Sequence, residues 1–87
     1  MVVLTSKNFE KAVKKLPKKI KYALKKRLCI FISNPFDPIL NNHHLQGSLR
    51  HYRSINITSD HRLIYEEYRK DVIRLIDIDT HSNLYSK

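Results

Sequence analysis

The residues best suited to chemistry are arginines, histidines and tyrosines in the second half of the 87-residue chain. The cluster comprises His43, His44, Arg50, His51, Tyr52, Arg53, Asp60, His61, Arg62, His81 and Tyr85. Cleavage of RNA without a metal ion needs a base for the ribose 2′-OH, an acid for the leaving 5′-oxygen and cations for the phosphorane. Histidine titrates near neutrality and arginine keeps its charge, so these residue types fit that reaction. Composition alone fits a basic RNA-binding domain equally well.

The charge of the chain is strongly positive, with 17 Lys and Arg against 8 Asp and Glu and a formal net charge of +9. This balance favours a polyanionic partner, which is nucleic acid, an acidic protein or an anionic membrane surface. The surplus lies in residues 1–40, which are rich in lysine, whereas the second half uses mainly arginine. Lysine suits a diffuse solvated surface, and arginine makes forked contacts to phosphate. We therefore predict that the first half attracts the polyanionic partner, and that the second half makes the geometrically defined contacts to its phosphates.

Residue counts disfavour several other kinds of site. Cys29 is the only cysteine, which excludes an internal disulfide and a cysteine zinc cluster, and its place between Leu28 and Ile30 predicts a small core residue. No histidine spacing matches a recognised zinc pattern, so no metal is predicted. Gly47 is the only glycine, which excludes a glycine-rich phosphate loop. The chain lacks an apolar run of about 20 residues and a signal-peptide pattern, which predicts a cytoplasmic protein without a membrane partner.

Two amphipathic helices are predicted to carry the lysines. The apolar positions at helical spacing are Phe9, Ala12, Val13 and Leu16 in the first helix, and Ile20, Leu24, Leu28 and Phe31 in the second. Ser6 is a candidate N-cap of the first helix, and Pro17 either ends that helix or sits in the first turn of the next. The second helix should stop near Asn34, because Pro35 disfavours a helical residue before it. Phe9 and Phe31 are predicted core residues.

The strands are predicted at Val2–Leu4, Tyr52–Ile57, Arg62–Tyr68 and Val72–Ile78, where β-branched and aromatic residues concentrate. The last of these is apolar on both faces, which favours a central position in the sheet. Residues 34–48 hold two prolines and the glycine, and are predicted to be a connection. The predicted fold is α+β, a single domain over residues 1–87. Two N-terminal helices pack on one face of a small, mainly antiparallel four-stranded sheet.

Three segments in fixed order carry a resemblance to a known family. They are HHLQGSLRHYRS, DHRLIY and the C-terminal IDIDTHSNLY. Together with the lysine-rich helix pair, they resemble the RelE/YafQ branch of the RelE/ParE toxin superfamily over nearly the whole chain. The resemblance implies a RelE-like fold and a type II toxin that cleaves translated mRNA in the ribosomal A site. It also implies a cognate antitoxin, the ribosome and mRNA as partners, and no cofactor.

The resemblance implies six catalytic residues, which are His81, Arg62, Tyr85, Arg53, His43 and Asp60. His81 matches the main acid/base residue, and Tyr85 matches an aromatic residue that stacks on or polarises the substrate. Arg62 matches the strand arginine that contacts the scissile phosphate, and Arg53 matches a basic residue at the start of the preceding strand, so both are expected to clamp the phosphate. His43 and Asp60 match functional positions of the YafQ-like branch.

The sequence also departs from the family pattern. Asn56 stands where YafQ-like relatives have a catalytic histidine, and Asp79 replaces the usual glycine two residues before His81. His61, beside Arg62, is an extra histidine that can substitute for the missing one. The residues predicted to contact RNA or the ribosome are Lys14, Lys18, Lys25, Arg50 and His61. Two alternatives remain, namely a ParE-like toxin that binds DNA gyrase without nuclease activity, and a catalytically weak antitoxin-binding module.

Overall fold

The computed structural model describes residues 1–85, which form three helices and one sheet. The elements along the chain are β1 (Val2–Thr5), α1 (Lys7–Lys14), α2 (Lys18–Ser33), β2 (His43–His44), β3 (Tyr52–Asn56), β4 (His61–Arg69), β5 (Val72–Thr80) and α3 (His81–Tyr85). Two short 3-10 turns, at Pro38–Leu40 and Gly47–Leu49, lie on either side of β2. The α+β class of the prediction is confirmed.

The two N-terminal helices begin and end where local chemistry requires. The Ser6 side chain accepts a hydrogen bond from the Phe9 N–H at 3.0 Å, an N-cap of the kind that stabilises a helix by about 1 kcal/mol. Pro17 is the N-cap of α2, so it belongs to the start of the second helix rather than to the body of the first. The second helix ends at Ser33, as the Asn34–Pro35 pair predicts.

The sheet has five strands in the order β1-β5-β4-β3-β2, one more than the sequence predicts. β1 runs parallel to β5, and the other neighbours are antiparallel. The central place of β5, between β1 and β4, agrees with its apolar sequence. The additional strand is β2, only two residues long and within the predicted connection. In this strand His43 pairs with Ser54 and His44 with Arg53. A strand of two residues is too short to show an alternating pattern in the sequence.

The main core lies between the two N-terminal helices and one face of the sheet. Phe9 and Phe31 are buried there, as predicted. The rings of Phe31 and Tyr65 pack edge to face, with 4.8 Å between their centroids. Cys29 is exposed, so the prediction that it is a core residue is wrong. Leu24 and Phe31 are the buried residues of α2 and define the side that faces the core. Cys29 lies two positions before Phe31, and on a helix of 3.6 residues per turn this spacing directs it away from that side.

A β-bulge in β5 is held by the start of α1. Ile64 pairs with Asp77 and Tyr65 with Leu75, so Ile76 is the additional residue of the bulge. Its carbonyl accepts hydrogen bonds from the Ser6 hydroxyl at 2.9 Å and the Asn8 amide at 3.3 Å. Bulges redirect strands and are frequent beside functional sites. This one sets the direction of the C-terminal half of β5, which leads into α3.

Within residues 1–85, no helix has the length and apolar character that a membrane span requires.

Candidate active site

A cleft opens on the face of the sheet opposite the N-terminal helices. Four of the predicted catalytic residues line it, namely His43, Arg62, His81 and Tyr85, and its volume is about 520 Å³. The other described residues along it are Asn41, His44, Leu45, Gln46 and Leu49. None of these described lining residues carries a carboxylate, and Arg62 supplies a fixed positive charge.

The β2–β3 loop forms one wall of the cleft. Leu45 is buried and anchors the loop, and its N–H donates to the Tyr52 carbonyl at 3.0 Å. Gly47 has φ +66°, a left-handed conformation that disfavours a side chain although nothing lies within 4 Å of the position a Cβ would take. The glycine is therefore needed for the backbone turn that brings Leu49 back over the sheet.

Arg62 is fixed in place by the β3–β4 turn. Its Nη1 donates to the carbonyls of Thr58 and Ser59, each at 3.1 Å, and to the carbonyl of His61 at 3.2 Å. The turn itself is closed by the His61 N–H, which donates to the Thr58 hydroxyl at 3.0 Å. One nitrogen of the guanidinium is thus held by backbone before any substrate arrives. A cation positioned in this way stabilises developing charge without reorganising during the reaction.

His81 begins α3 directly after β5, and the same turn holds it. Its backbone N–H donates to the Asp60 carbonyl at 2.8 Å. Thr80 caps the helix by accepting from the Asn83 N–H at 3.2 Å, and the Asp79 carboxylate accepts from the Asn83 amide at 3.1 Å. The Asp79 that departs from the family pattern therefore contributes to the structure of the helix that carries His81.

The rings of His81 and Tyr85 face each other one helical turn apart. Their centroids are separated by 4.6 Å with an angle of 54° between the planes. Residues four apart lie on the same side of a helix, so α3 presents both side chains to the cleft together. Both are exposed, which leaves them accessible to a ligand from solvent.

His43 reaches the cleft from the edge strand β2. Its Nδ1 lies 2.8 Å from the Asn41 carbonyl oxygen. A carbonyl only accepts, so this contact places the proton of the neutral ring on Nδ1 and leaves the lone pair on Nε2. The arrangement makes Nε2 of His43 the atom that can accept a proton.

Arg53 lies on the other face of the sheet, away from the cleft. It pairs with Tyr65, which is buried under α2. Its Nε donates to Glu67 at 2.9 Å, its Nη1 to the Asn42 side-chain oxygen at 3.2 Å, and its Nη2 to Nε2 of His44 at 2.8 Å. Arg53 therefore does not line the cleft beside Arg62, and its contact with the phosphate stays a prediction. The arginine instead ties β2 to the body of the sheet.

Tyr65 completes this network beneath the edge strand. The Asn42 amide donates to its hydroxyl at 2.7 Å and to the Pro35 carbonyl at 2.9 Å. Burial raises the pKa of the Tyr65 hydroxyl, an effect that the Asn42 hydrogen bond and the Arg53 charge oppose. The strand that carries His43 is thus supported by a polar network on the opposite side of the sheet.

The other predicted residues lie around the cleft or on separate surfaces. Asp60 is exposed in the β3–β4 turn and supports the site through its backbone carbonyl. His61 pairs with Thr80 and lines a different groove beside α1, so its position does not favour a role as a substitute acid or base. Arg50 is exposed in the β2–β3 loop. Lys14, Lys18 and Lys25 are exposed on α1 and α2, on the side of the sheet opposite the cleft.

The cleft is also lined by Asn41, Gln46 and Leu49, which the sequence pattern does not predict as site residues. Their common signal is proximity in sequence to His43 and Gly47, within a segment whose course depends on tertiary contacts. Asn41 has φ 47°, which places it in the left-handed region after the first 3-10 turn. Asn is among the few residues that adopt this conformation readily, and it turns the chain into β2.

Known proteins resemble this chain in sequence and in fold. Residues 1–86 match the sequence model of a family described as a bacterial toxin of the type II toxin-antitoxin system, YafQ. The chain belongs to the YafQ toxin family. It is therefore a toxin of the type II class, and the resemblance carried by its three motifs is confirmed. No curated protein is matched by the chain.

Solved structures extend the likeness to three dimensions. The crystal structure of YafQ from Escherichia coli strain BL21(DE3) is 28% identical, covers 95% of this chain and 96% of that chain, and has a TM-score of 0.80. The YafQ chain of the Escherichia coli DinJ-YafQ toxin-antitoxin complex is also 28% identical, with coverages of 95% and 94% and a TM-score of 0.78. A YoeB/ParE toxin from Agrobacterium tumefaciens, 16% identical with coverages of 93% and 99%, shares the fold with a TM-score of 0.77.

Proposed function

We propose that this YafQ-family toxin is a ribosome-dependent endoribonuclease that cleaves mRNA in the A site by acid/base catalysis without a metal ion. The observation that carries the proposal is the convergence of His43, Arg62, His81 and Tyr85 on one cleft. These residues come from three different elements of the fold, β2, β4 and α3, and packing alone does not require them to meet. A cognate antitoxin as partner is supported by the DinJ-YafQ toxin-antitoxin complex of the relative.

The proposed reaction is an intramolecular transesterification. The ribose 2′-oxygen attacks the adjacent phosphorus while Nε2 of His43 removes its proton, and the P–O5′ bond breaks while the imidazolium of His81 protonates the 5′-oxygen. The products are a 2′,3′-cyclic phosphate and a 5′-hydroxyl. The Nδ1 contact of His43 with Asn41 favours the tautomer that a base requires.

Arg62 and Tyr85 act on the same transition state. The Arg62 guanidinium, held at Nη1, offers its remaining edge to the non-bridging phosphate oxygens as their charge increases. Tyr85 packs against the His81 ring and limits the orientations that the ring can take. A ring fixed in this way needs less reordering to reach the leaving oxygen.

Primer extension on a defined message, translated in a reconstituted system, tests the proposal. The wild-type chain should cut within the A-site codon and leave a cyclic phosphate, and His81→Ala should lower the cleavage rate by about 10²–10⁴-fold. His51→Ala is the matched control, because His51 is an exposed histidine outside the cleft. An intact message together with damaged DNA would instead identify a gyrase toxin, and an intact message without DNA damage would identify an antitoxin-binding module.

A further inference from the structure

A second, smaller cavity opens beside the catalytic cleft on the same face of the sheet. Its volume is about 140 Å³. Tyr52, Ile64 and Ile76 form the floor, one from each of three neighbouring strands. Leu84 of α3 lies along one side, and Asp77 also lines the space. None of the proposed catalytic steps uses this cavity.

The cavity and the cleft are neighbours that share three lining side chains. Leu45, Leu49 and Tyr85 line both spaces. Leu45 is buried, whereas Leu49 and Tyr85 are exposed by 40% and 39% and form the rim between the two spaces. Large apolar side chains at a rim favour a ligand that enters from the cleft and covers them.

The size and lining of the cavity fit one aromatic ring. An apolar cavity of about 150 Å³ lined by Leu, Ile and Phe stays dry and takes up benzene. The present cavity has nearly this volume and is open to solvent on one side, and aliphatic side chains from both the sheet and the loop contribute to it. Tyr52 and Tyr85 add aromatic rings, on which a flat heterocycle can stack.

We propose that this cavity binds one nucleobase of the RNA substrate, adjacent to the scissile phosphate. The inference rests on the proposed function, because the cationic cleft would hold the phosphate and ribose to which that base is attached. A base that leaves the stack of its strand needs an apolar site to enter, and stacking on protein side chains supplies affinity that tolerates sequence differences. The predominantly apolar lining favours recognition of an aromatic plane over recognition of one particular base.

The first experiment couples the cavity to the base on the ribosome. Single-turnover cleavage is measured with normal messages and with messages that are abasic at each A-site position in turn. An abasic nucleotide at one position should slow the wild type by about ten- to a hundredfold, and Leu49→Ala should slow cleavage of the normal message by a similar factor. Combining the two changes should add little further loss, because both remove one interaction.

The matched control is Leu4→Ala, since Leu4 is 41% exposed in β1 and lies outside both spaces. For each message, normal or abasic, this variant should cleave at the same rate as the wild type. Normal cleavage by Leu49→Ala, or losses from Leu49→Ala and the abasic message that multiply in full, would overturn the inference while leaving the endoribonuclease intact.

The second experiment does not depend on the ribosome. Methyl NMR of the wild-type chain follows Ile64 and Ile76 during titration with nucleoside monophosphates at millimolar concentration, with ribose 5-phosphate as control. Shifts of both methyl groups with the nucleotides but not with ribose 5-phosphate support the base site, even if no message is cleaved. Shifts that arise only on addition of the antitoxin, or the absence of shifts with every nucleotide, would overturn it.

Discussion

Arg62 illustrates how a single side chain is prepared for chemistry. Three backbone carbonyls hold its Nη1, so the guanidinium is oriented in the free protein. Arg62→Lys keeps the charge but removes the planar fork, and a single ammonium cannot hold these carbonyls and a phosphate in the same geometry. We expect single-turnover cleavage to fall by about 10²-fold, within the range seen when one transition-state donor is lost. Arg69→Lys, at an exposed site on β4, is the control and should retain full activity. Unchanged cleavage by Arg62→Lys would show that Arg62 contributes charge alone.

His43 and His81 have opposite proposed roles, which the pH dependence of cleavage can separate. A base must be deprotonated to act and an acid must be protonated, so the wild-type rate should follow a bell-shaped curve. His43→Ala should lose the decline at low pH, because the group that must be deprotonated is absent. His81→Ala should lose the decline at high pH. Measuring residual single-turnover rates of both variants between pH 5 and 9 checks the assignment, and the reverse pattern would exchange the two roles.

At the scale of elements, the sequence predicted the helices and strands that are long enough to show a periodic pattern of apolar residues. The lysine-rich helices and the long strands have periodic apolar residues, and their bounds agree with the prediction within a few residues. β2 and α3 have only two and five residues, which is too short for a period to appear. Their positions depend on distant partners, such as Arg53 for β2 and the Asp60 carbonyl for α3. The motifs match His81 and Arg62 to family positions from the sequence alone. The position of Arg53 on the opposite face of the sheet follows only from the strand register, which the sequence does not show.

Arg53 is expected to be a positioning residue that acts through the edge strand. Arg53→Met leaves Glu67, Asn42 and His44 without the partner they have now, which should lower the free energy of unfolding by about 1–3 kcal/mol. Cleavage should also decrease, because β2 then holds His43 less firmly, yet the bell-shaped pH dependence should remain. Chemical denaturation and single-turnover rates measure the two effects, with the exposed Arg69→Met as control. A large loss of cleavage with unchanged stability would instead favour direct contact of Arg53 with RNA.

The whole molecule presents two cationic regions on opposite sides of the sheet. One is the cleft, with Arg62 and three histidines along it. The other is the outer surface of α1 and α2, which carries most of the surplus charge of the first 40 residues. The five-stranded sheet separates the cleft from the helices. We therefore predict that the lysine surface makes a second contact, with phosphates of ribosomal RNA, that increases affinity without entering the reaction.

Reversing Lys14, Lys18 and Lys25 to Glu tests this division between attraction and chemistry. Each phosphate contact that is lost removes about 0.7–0.9 from the slope of log affinity against log salt, so binding to ribosomes should weaken and depend less steeply on salt. The cleavage rate at saturating ribosomes should change little, because binding energy that is equal in the ground and transition states does not accelerate a chemical step. The corresponding Lys→Gln triple variant should show an intermediate loss of affinity, and His81→Ala should show the opposite pattern, with normal affinity and a low saturating rate. Single-turnover cleavage as a function of ribosome concentration separates affinity from rate in all three variants. If the Lys→Glu variant kept its affinity and lost its saturating rate, the lysine surface would belong to the catalytic site.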